Sequence, residues 1–221
     1  LFKGNAVYNS LTKKVNFTVN PKSKENATIT VTSPEDSIVF YNDTSSRLIV
    51  ELKDTNGNPI SGAKIRFALG NLTKTMQTYA SGKAFISTNS LDIGNYVATV
   101  SFAGDDIYAP VSATANVAVR ASALLTAEDV SVVYQDTAGK LIVELKDTNG
   151  NPISGAKIRF ALGNLTKTMK TLSSGKAYIN TKTLDIGDYV ATVSLIGDNT
   201  YVPVSATANV AVRASALLTA E

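Results

Sequence analysis

Apolar and polar residues alternate with a period of two along most of the chain. In RLIVELK (Arg47–Lys53), Leu48, Val50 and Leu52 fall on one side. In AKIRFAL (Ala63–Leu69), Ala63, Ile65, Phe67 and Leu69 share a side, with Lys64 and Arg66 on the other. YVATVSF groups Tyr96, Ala98, Val100 and Phe102, and ATANVAV groups Ala113, Ala115, Val117 and Val119. Successive side chains of a strand point to opposite faces, so this alternation predicts half-buried strands. Turn-forming letters separate them: Asn56-Gly57-Asn58-Pro59, Ser81-Gly82 and Asp92-Ile93-Gly94. No segment sustains a helical period with caps. The pattern predicts an all-β chain with seven or eight strands per unit, folded as antiparallel β-sandwiches.

The pattern also recurs. KDTNGNPISGAKIRFALGNLTKTM occupies Lys53–Met76 and again Lys146–Met169 without a substitution. Leu48–Glu128 and Leu141–Glu221 align without gaps and differ at 13 of 81 positions. The spacing of 93 residues is too long for a solenoid repeat and suits one small domain per copy. A degenerate third copy leads the chain: Leu1–Val19 aligns with Ser101–Val119, matching Gly4 to Gly104, Tyr8 to Tyr108 and Asn16 to Asn116. RASALLTAE (Arg213–Glu221) repeats Arg120–Glu128. The expected division is therefore the last strands of a preceding unit at 1–19, complete units at 20–119 and 120–212, and the first strand of a following unit at 213–221. Val15, Phe17 and Val19 form an apolar stripe predicted to be a strand. Two explanations fit such ends: a window of a longer array, or strand exchange between identical subunits of a fibre.

LDIGNYVATV (Leu91–Val100) and LDIGDYVATV (Leu184–Val193) share the form Asp-x-Gly-x-Tyr followed by alternating apolar residues. This resembles the tyrosine corner of immunoglobulin-like domains and singles out Asp92 with Tyr96 and Asp185 with Tyr189. Two residues beyond each Tyr, where antibody domains carry a cysteine, stand Ala98 and Ala191. DTNGNPISGAKIRF resembles the early strands of the bacterial Ig-like repeats of invasin-type surface proteins. GKAFISTNSLDIGNYVATVSFAGDDIYAPVSATANVAV is similar to the second half of bacterial Ig-like repeats that close in Gly-Asp-x-x-Tyr. The combination is most like large adhesin-like proteins of methanogenic archaea. The resemblance implies tandem Ig-like sandwiches, a cell-surface or wall-associated location, and a role in attachment.

Composition narrows the chemistry. Cys, His and Trp are absent, so neither a disulfide framework nor a Cys/His metal site is available. Hydrophobic residues make up 44% and charged residues 18%, enough apolar matter for packed cores. The net charge of +3 comes from scattered Lys and Arg and calls for neither nucleic acid nor an acidic surface. No apolar run approaches the ~20 residues of a membrane helix. LFKGNAVYNS lacks the apolar core of a signal peptide, so a signal for export would lie outside this stretch. Without His or Cys the usual nucleophilic triads are out, and no carboxylate pair sits in a distinctive motif; no enzyme activity and no cofactor are expected.

Several residues remain as candidate contacts. Asp54, Asn56 and Asn58 alternate as calcium ligands can, but Gly57 and Pro59 are misplaced for a calcium loop and a hairpin turn accounts for them. Asp105 with Tyr108 and Asp198 with Tyr201 could meet a ligand or a neighbouring domain; the Tyr recurs at Tyr8, which favours architecture. An intramolecular isopeptide bond would draw on Asn116 or Asn209 in the last strand, yet Glu51 and Lys53 lie opposite the apolar face. Sequons occur at Asn16, Asn26, Asn42, Asn71 and Asn164 and permit glycosylation of an exported chain. Two functional readings follow: a stalk module whose repetition sets reach, partnered by neighbouring repeats or identical subunits, and a binding module whose repetition supplies avidity for wall polymer or glycan.

Overall fold

The computed structural model describes residues 6, 12–18, 22–33 and 38–215. Among them there is no helix; the chain forms two β-sandwiches of eight strands each. The first comprises β1 (Ala27–Ser33), β2 (Ile38–Phe40), β3 (Arg47–Asp54), β4 (Lys64–Leu69), β5 (Leu72–Gln77), β6 (Lys83–Ser87), β7 (Gly94–Phe102) and β8 (Val111–Arg120). The second comprises β9 (Ala123–Ala127), β10 (Val130–Val133), β11 (Lys140–Asp147), β12 (Lys157–Leu162), β13 (Leu165–Lys170), β14 (Lys176–Asn180), β15 (Gly187–Leu195) and β16 (Val204–Arg213). Each sandwich pairs a three-stranded sheet, β1-β3-β6 or β14-β11-β9, with a five-stranded sheet, β2-β8-β7-β4-β5 or β10-β16-β15-β12-β13.

The inward positions of the alternating pattern fill the space between the sheets. Leu48, Val50 and Leu52 of β3, and Ile65 and Phe67 of β4, are fully buried. Leu141, Leu145, Ile158 and Phe160 take the same places in the second sandwich. Burying such a side chain contributes about 1.5–3 kcal/mol, which lets a cysteine-free sandwich close by packing. The first core runs from Ile29 to Val119 and the second from Leu125 to Val212.

The pairing is antiparallel with one exception in each sandwich. Strand β2 runs parallel to the end of β8, matching Ile38 to Ala118 and Phe40 to Arg120. Strand β10 runs parallel to the end of β16, matching Val130 to Val210 and Val133 to Arg213. The opening strand thus switches sheets partway, from β3 to β8 in the first unit and from β11 to β16 in the second. A first strand parallel to the last puts the chain's entrance and exit at opposite ends of the sandwich.

The Asn56–Pro59 turn is closed by a bridge between Lys53 and Pro59. Beyond it the chain does not continue as a hairpin: β3 and β4 belong to different sheets. In the leading segment, residues 12–18 carry no strand, with Val15 70% and Phe17 84% exposed. A stripe aligned with β8 would need the last-strand position of a sandwich, and in the first sandwich β8 itself fills that position. The rest of the expected strand, including Val19, lies outside the described residues.

Candidate functional site at the joint between the sandwiches

Strand β8 ends at Arg120, and only Ala121 and Ser122 separate it from β9. Arg120 is 9% exposed, although nothing but a two-residue link follows it. Its guanidinium is held from both sides. Toward the first sandwich, Nη1 donates to the carbonyls of Gly94 and Val119, each at 3.0 Å, and Nη2 donates to Asn95 Oδ1. Toward the second sandwich, Nε donates to the carbonyl of Asp198 at 3.1 Å. A planar fork with several fixed donors suits this multiple reach, as a lysine ammonium would not.

The Asp198 carbonyl is itself held in place. Its side-chain Oδ1 accepts the backbone N–H of Thr200 at 2.7 Å and of Tyr201 at 2.9 Å, and Asp198 N donates to the Tyr201 carbonyl at 3.1 Å. This closes the loop between β15 and β16. The loop is stitched to the link: Ala121 N donates to Thr200 O at 2.7 Å and Val202 N to Ala121 O at 3.1 Å. The loop that a sequence reading marks by Asp198 and Tyr201 therefore sits at the joint. Its counterpart in the first sandwich sits at the far end. There Asp105 Oδ1 accepts from Ile107 and Tyr108, and Glu25 forms an isolated parallel bridge with Tyr108.

A groove of about 500 Å³ runs beside the joint, lined from the first sandwich by Tyr41, Asp43 and Ile93 and from the second by Ser122, Asp147 and Tyr201. Burial pushes the Tyr201 phenol above its usual pKa, and the carboxylates of Asp147 and Asp198 add to the shift. Asp147 is committed to its own turn. Its Oδ1 accepts the N–H groups of Asn149 and Asn151, and its Oδ2 accepts Asn151 Nδ2 at 3.0 Å. Asp54 is bound identically by Asn56 and Asn58, so both carboxyl oxygens of the residue weighed as a calcium ligand serve the turn. The hydrogen bonds from Asn58 chiefly hold Asp54 below the usual carboxylate pKa.

Tyr96 Oη donates to the Asp92 carbonyl at 2.9 Å, and Tyr189 Oη to the Asp185 carbonyl at 3.0 Å; both rings are half-buried. Each ring lies against a glycine of the turn between the fourth and fifth strands of its sandwich. Gly70 has φ +59°, and a Cβ there would come within 2.8 Å of the Tyr96 ring. The corner places Gly94 and Asn95 directly under Arg120, so corner and joint are one construction. The sequon asparagines Asn16, Asn26, Asn42, Asn71 and Asn164 are all exposed. For the isopeptide chemistry, Lys53 Nζ instead pairs with Glu51 at 2.9 Å. Asn116 and Asn209 stand on β8 and β16, in the sheets opposite β3 and β11. Asn209 is engaged by Asp129, whose Oδ1 accepts its backbone N–H at 2.7 Å and whose Oδ2 accepts its Nδ2 at 2.9 Å.

Sequence reasoning missed Arg120 and Asp129 as contact residues. The only available signal for Arg120 was its recurrence as Arg213 at the end of an apolar strand.

No family model matches the chain. The inverse autotransporter adhesin YeeJ of Escherichia coli (strain K12) is 26% identical in an alignment of 189 residues that covers 77% of this chain. The chain spans 8% of that adhesin's length. Among solved structures, the fibronectin(III)-like modules of Clostridium thermocellum CbhA align over 88% of this chain and 98% of theirs, at 15% identity and a TM-score of 0.39. Invasin, a bacterial integrin-binding protein, aligns over 86% of this chain and 39% of its own, at 21% identity and a TM-score of 0.31. These relatives are bacterial, and nothing in them points to methanogenic archaea.

Proposed function

We propose that this chain is a spacer segment of a cell-surface adhesin-like protein, in which Ig-like sandwiches joined end to end set reach. The observation that carries this reading is Arg120, a buried guanidinium that ties the end of one sandwich to the β15–β16 loop of the next. A linker built for free motion would be longer and richer in Gly and Ser. The opposite placement of entrance and exit in each sandwich gives the same reading, since each added unit lengthens the chain. Similarity to an E. coli adhesin supports the surface location. At ~3.3 Å per residue, strands of nine or ten residues run roughly 30–33 Å, and the loops at both ends bring each sandwich to about 40 Å. Small-angle scattering of the full chain tests this. Two sandwiches in line give a maximum dimension of about 80 Å or more, whereas a compact particle of this size stays near about 45 Å.

A second reading is favoured by the groove at the joint. Tyr41 and Tyr201 offer aromatic faces, and the polar side chains of Asn42, Ser122 and Thr148 line the groove beside them, a combination that suits sugar hydroxyls. On this reading neighbouring units would hold a wall polymer or glycan by avidity. A glycan array probed with the full chain and with Tyr201→Ala separates the two, since a spacer binds nothing that this substitution removes.

A further inference from the structure

The far end of the second sandwich reproduces the end of the first that is already docked. Arg213 closes β16 as Arg120 closes β8, and its Nη1 reaches the carbonyls of Gly187 and Val212, the equivalents of Gly94 and Val119. Its Nη2 pairs with Asp188, which stands where Asn95 stands in the first sandwich. The Tyr189 corner beneath it is intact. What differs is its exposure: the Arg213 side chain is 51% exposed. The letters that lead from Arg120 into the second sandwich, RASALLTAE, recur from Arg213 onward.

We propose that Arg213 and Asp188 form a docking site for one further sandwich of the same kind, following in the same polypeptide. The group recognised is the backbone carbonyl of an Asp-x-x-Tyr loop such as Asp198–Tyr201. Arg213 Nε donates to it as Arg120 Nε donates to Asp198. Asp188 holds the fork in the orientation that Asn95 sets at the first joint, now with a charged partner in place of an amide. The inference rests on the spacer reading and assigns the residues that make a second joint stiff.

The test uses the full chain extended after Glu221 by a copy of residues 129–213, which completes a third sandwich in register. The chain has no cysteine, so Val97 and Val190, equivalent exposed positions, can be replaced by Cys for spin labelling. A pair at 97 and 190 reports the first joint, and a pair at 190 and its copy reports the second. Narrow distance distributions are expected at both. Arg213→Ala should broaden the second alone and Arg120→Ala the first alone. Arg213→Lys should behave like Ala, because a compact ammonium cannot reach the four acceptors that the planar fork spreads over three nitrogens. Asp188→Asn should keep the second joint narrow. If the second distribution stays narrow in Arg213→Ala while the first is narrow too, the site is not Arg213 and the inference fails alone. If the unsubstituted chain is broad at both joints, the spacer reading and the inference fail together.

Discussion

Arg120 and Arg213 end equivalent strands and reach equivalent carbonyls, yet one is buried and the other exposed. Nothing in their local sequence accounts for this, since both begin RASALLTAE. The difference is made by the Asp198 carbonyl, which the second sandwich brings to Arg120 from 78 residues away. A joint of this kind is assembled by the neighbour and prepared by the corner. The preparation is complete at both ends: Tyr96 and Tyr189 fix the turns that offer Gly94 O and Gly187 O. Identical repeats are what such a device requires, since each unit must carry the fork at its exit and the carbonyl at its entrance.

The comparison is broken most severely from inside one sandwich. Phe67→Ala empties a fully buried site and should cost the first sandwich about 3–5 kcal/mol. Because the cores share no residue, amide-exchange protection in β11, β12 and β15 should survive. Loss of protection in both would show that the units fold as one.

A smaller effect tests the corners. Gly70→Ala and Gly163→Ala each force a side chain onto a left-handed backbone beside a tyrosine ring. Each should cost about 1–3 kcal/mol in urea denaturation. The first should cost more, because the added carbon would meet Tyr96 at 2.8 Å but Tyr189 at 3.1 Å.

Arg120→Ala and Arg213→Ala test the joint directly. Removing the buried fork leaves several carbonyls unpaired and should cost about 1–3 kcal/mol at the joint. The exposed fork should cost no more than about 0.5 kcal/mol. Amide exchange of Ala121, whose N–H donates to Thr200 O, should speed up in the first variant. That of Tyr134, bonded to Arg213 O, should hold in both.

These expectations separate what sequence carries from what only the fold supplies. The strands were legible because Leu48, Val50, Leu52, Ile65 and Phe67 alternate with polar neighbours and face a core. The corner was legible because Asp-x-Gly-x-Tyr is local, its hydrogen bond spanning four residues. The parallel strands β2 and β10 were not, since three or four residues hold too little periodicity. The Arg120 contact at the joint was not, because its acceptor across the joint is a backbone carbonyl, which leaves no letter. Asp198 and Tyr201 stood out by recurrence, but recurrence does not say which arginine they meet. Asp129 escaped for the same reason: its partner Asn209 lies 80 residues on.

Asp129 supplies the gentlest test, through acid. Strand β10 pairs only with Val210–Arg213 of β16, so Asn209 is the first residue beyond that pairing. The Asp129 carboxylate takes its backbone N–H and side-chain amide, covering the edge where the parallel partner stops. Hydrogen bonds from Asn209, the side-chain one foremost, hold the carboxyl below its usual range. The sign follows. A carboxyl with a folded pKa below the unfolded one, about 3.9 for Asp, stabilises fully above that unfolded value. The contribution fades as pH falls through the folded pKa, when the folded state must take up a proton at the cost of the Asn209 contacts. Below about pH 4 the exchange of Asn209 and Val210 should therefore rise ahead of the rest of β16. Asp129→Asn keeps one acceptor oxygen and cannot titrate, so its edge should be slightly weaker near neutral pH and indifferent to acid there. Asp54 and Asp147 have lowered pKa values in both sandwiches, so their turns should loosen together. An Asn209 exchange rate that tracks those turns in both the unsubstituted chain and Asp129→Asn would show that Asp129 adds nothing of its own.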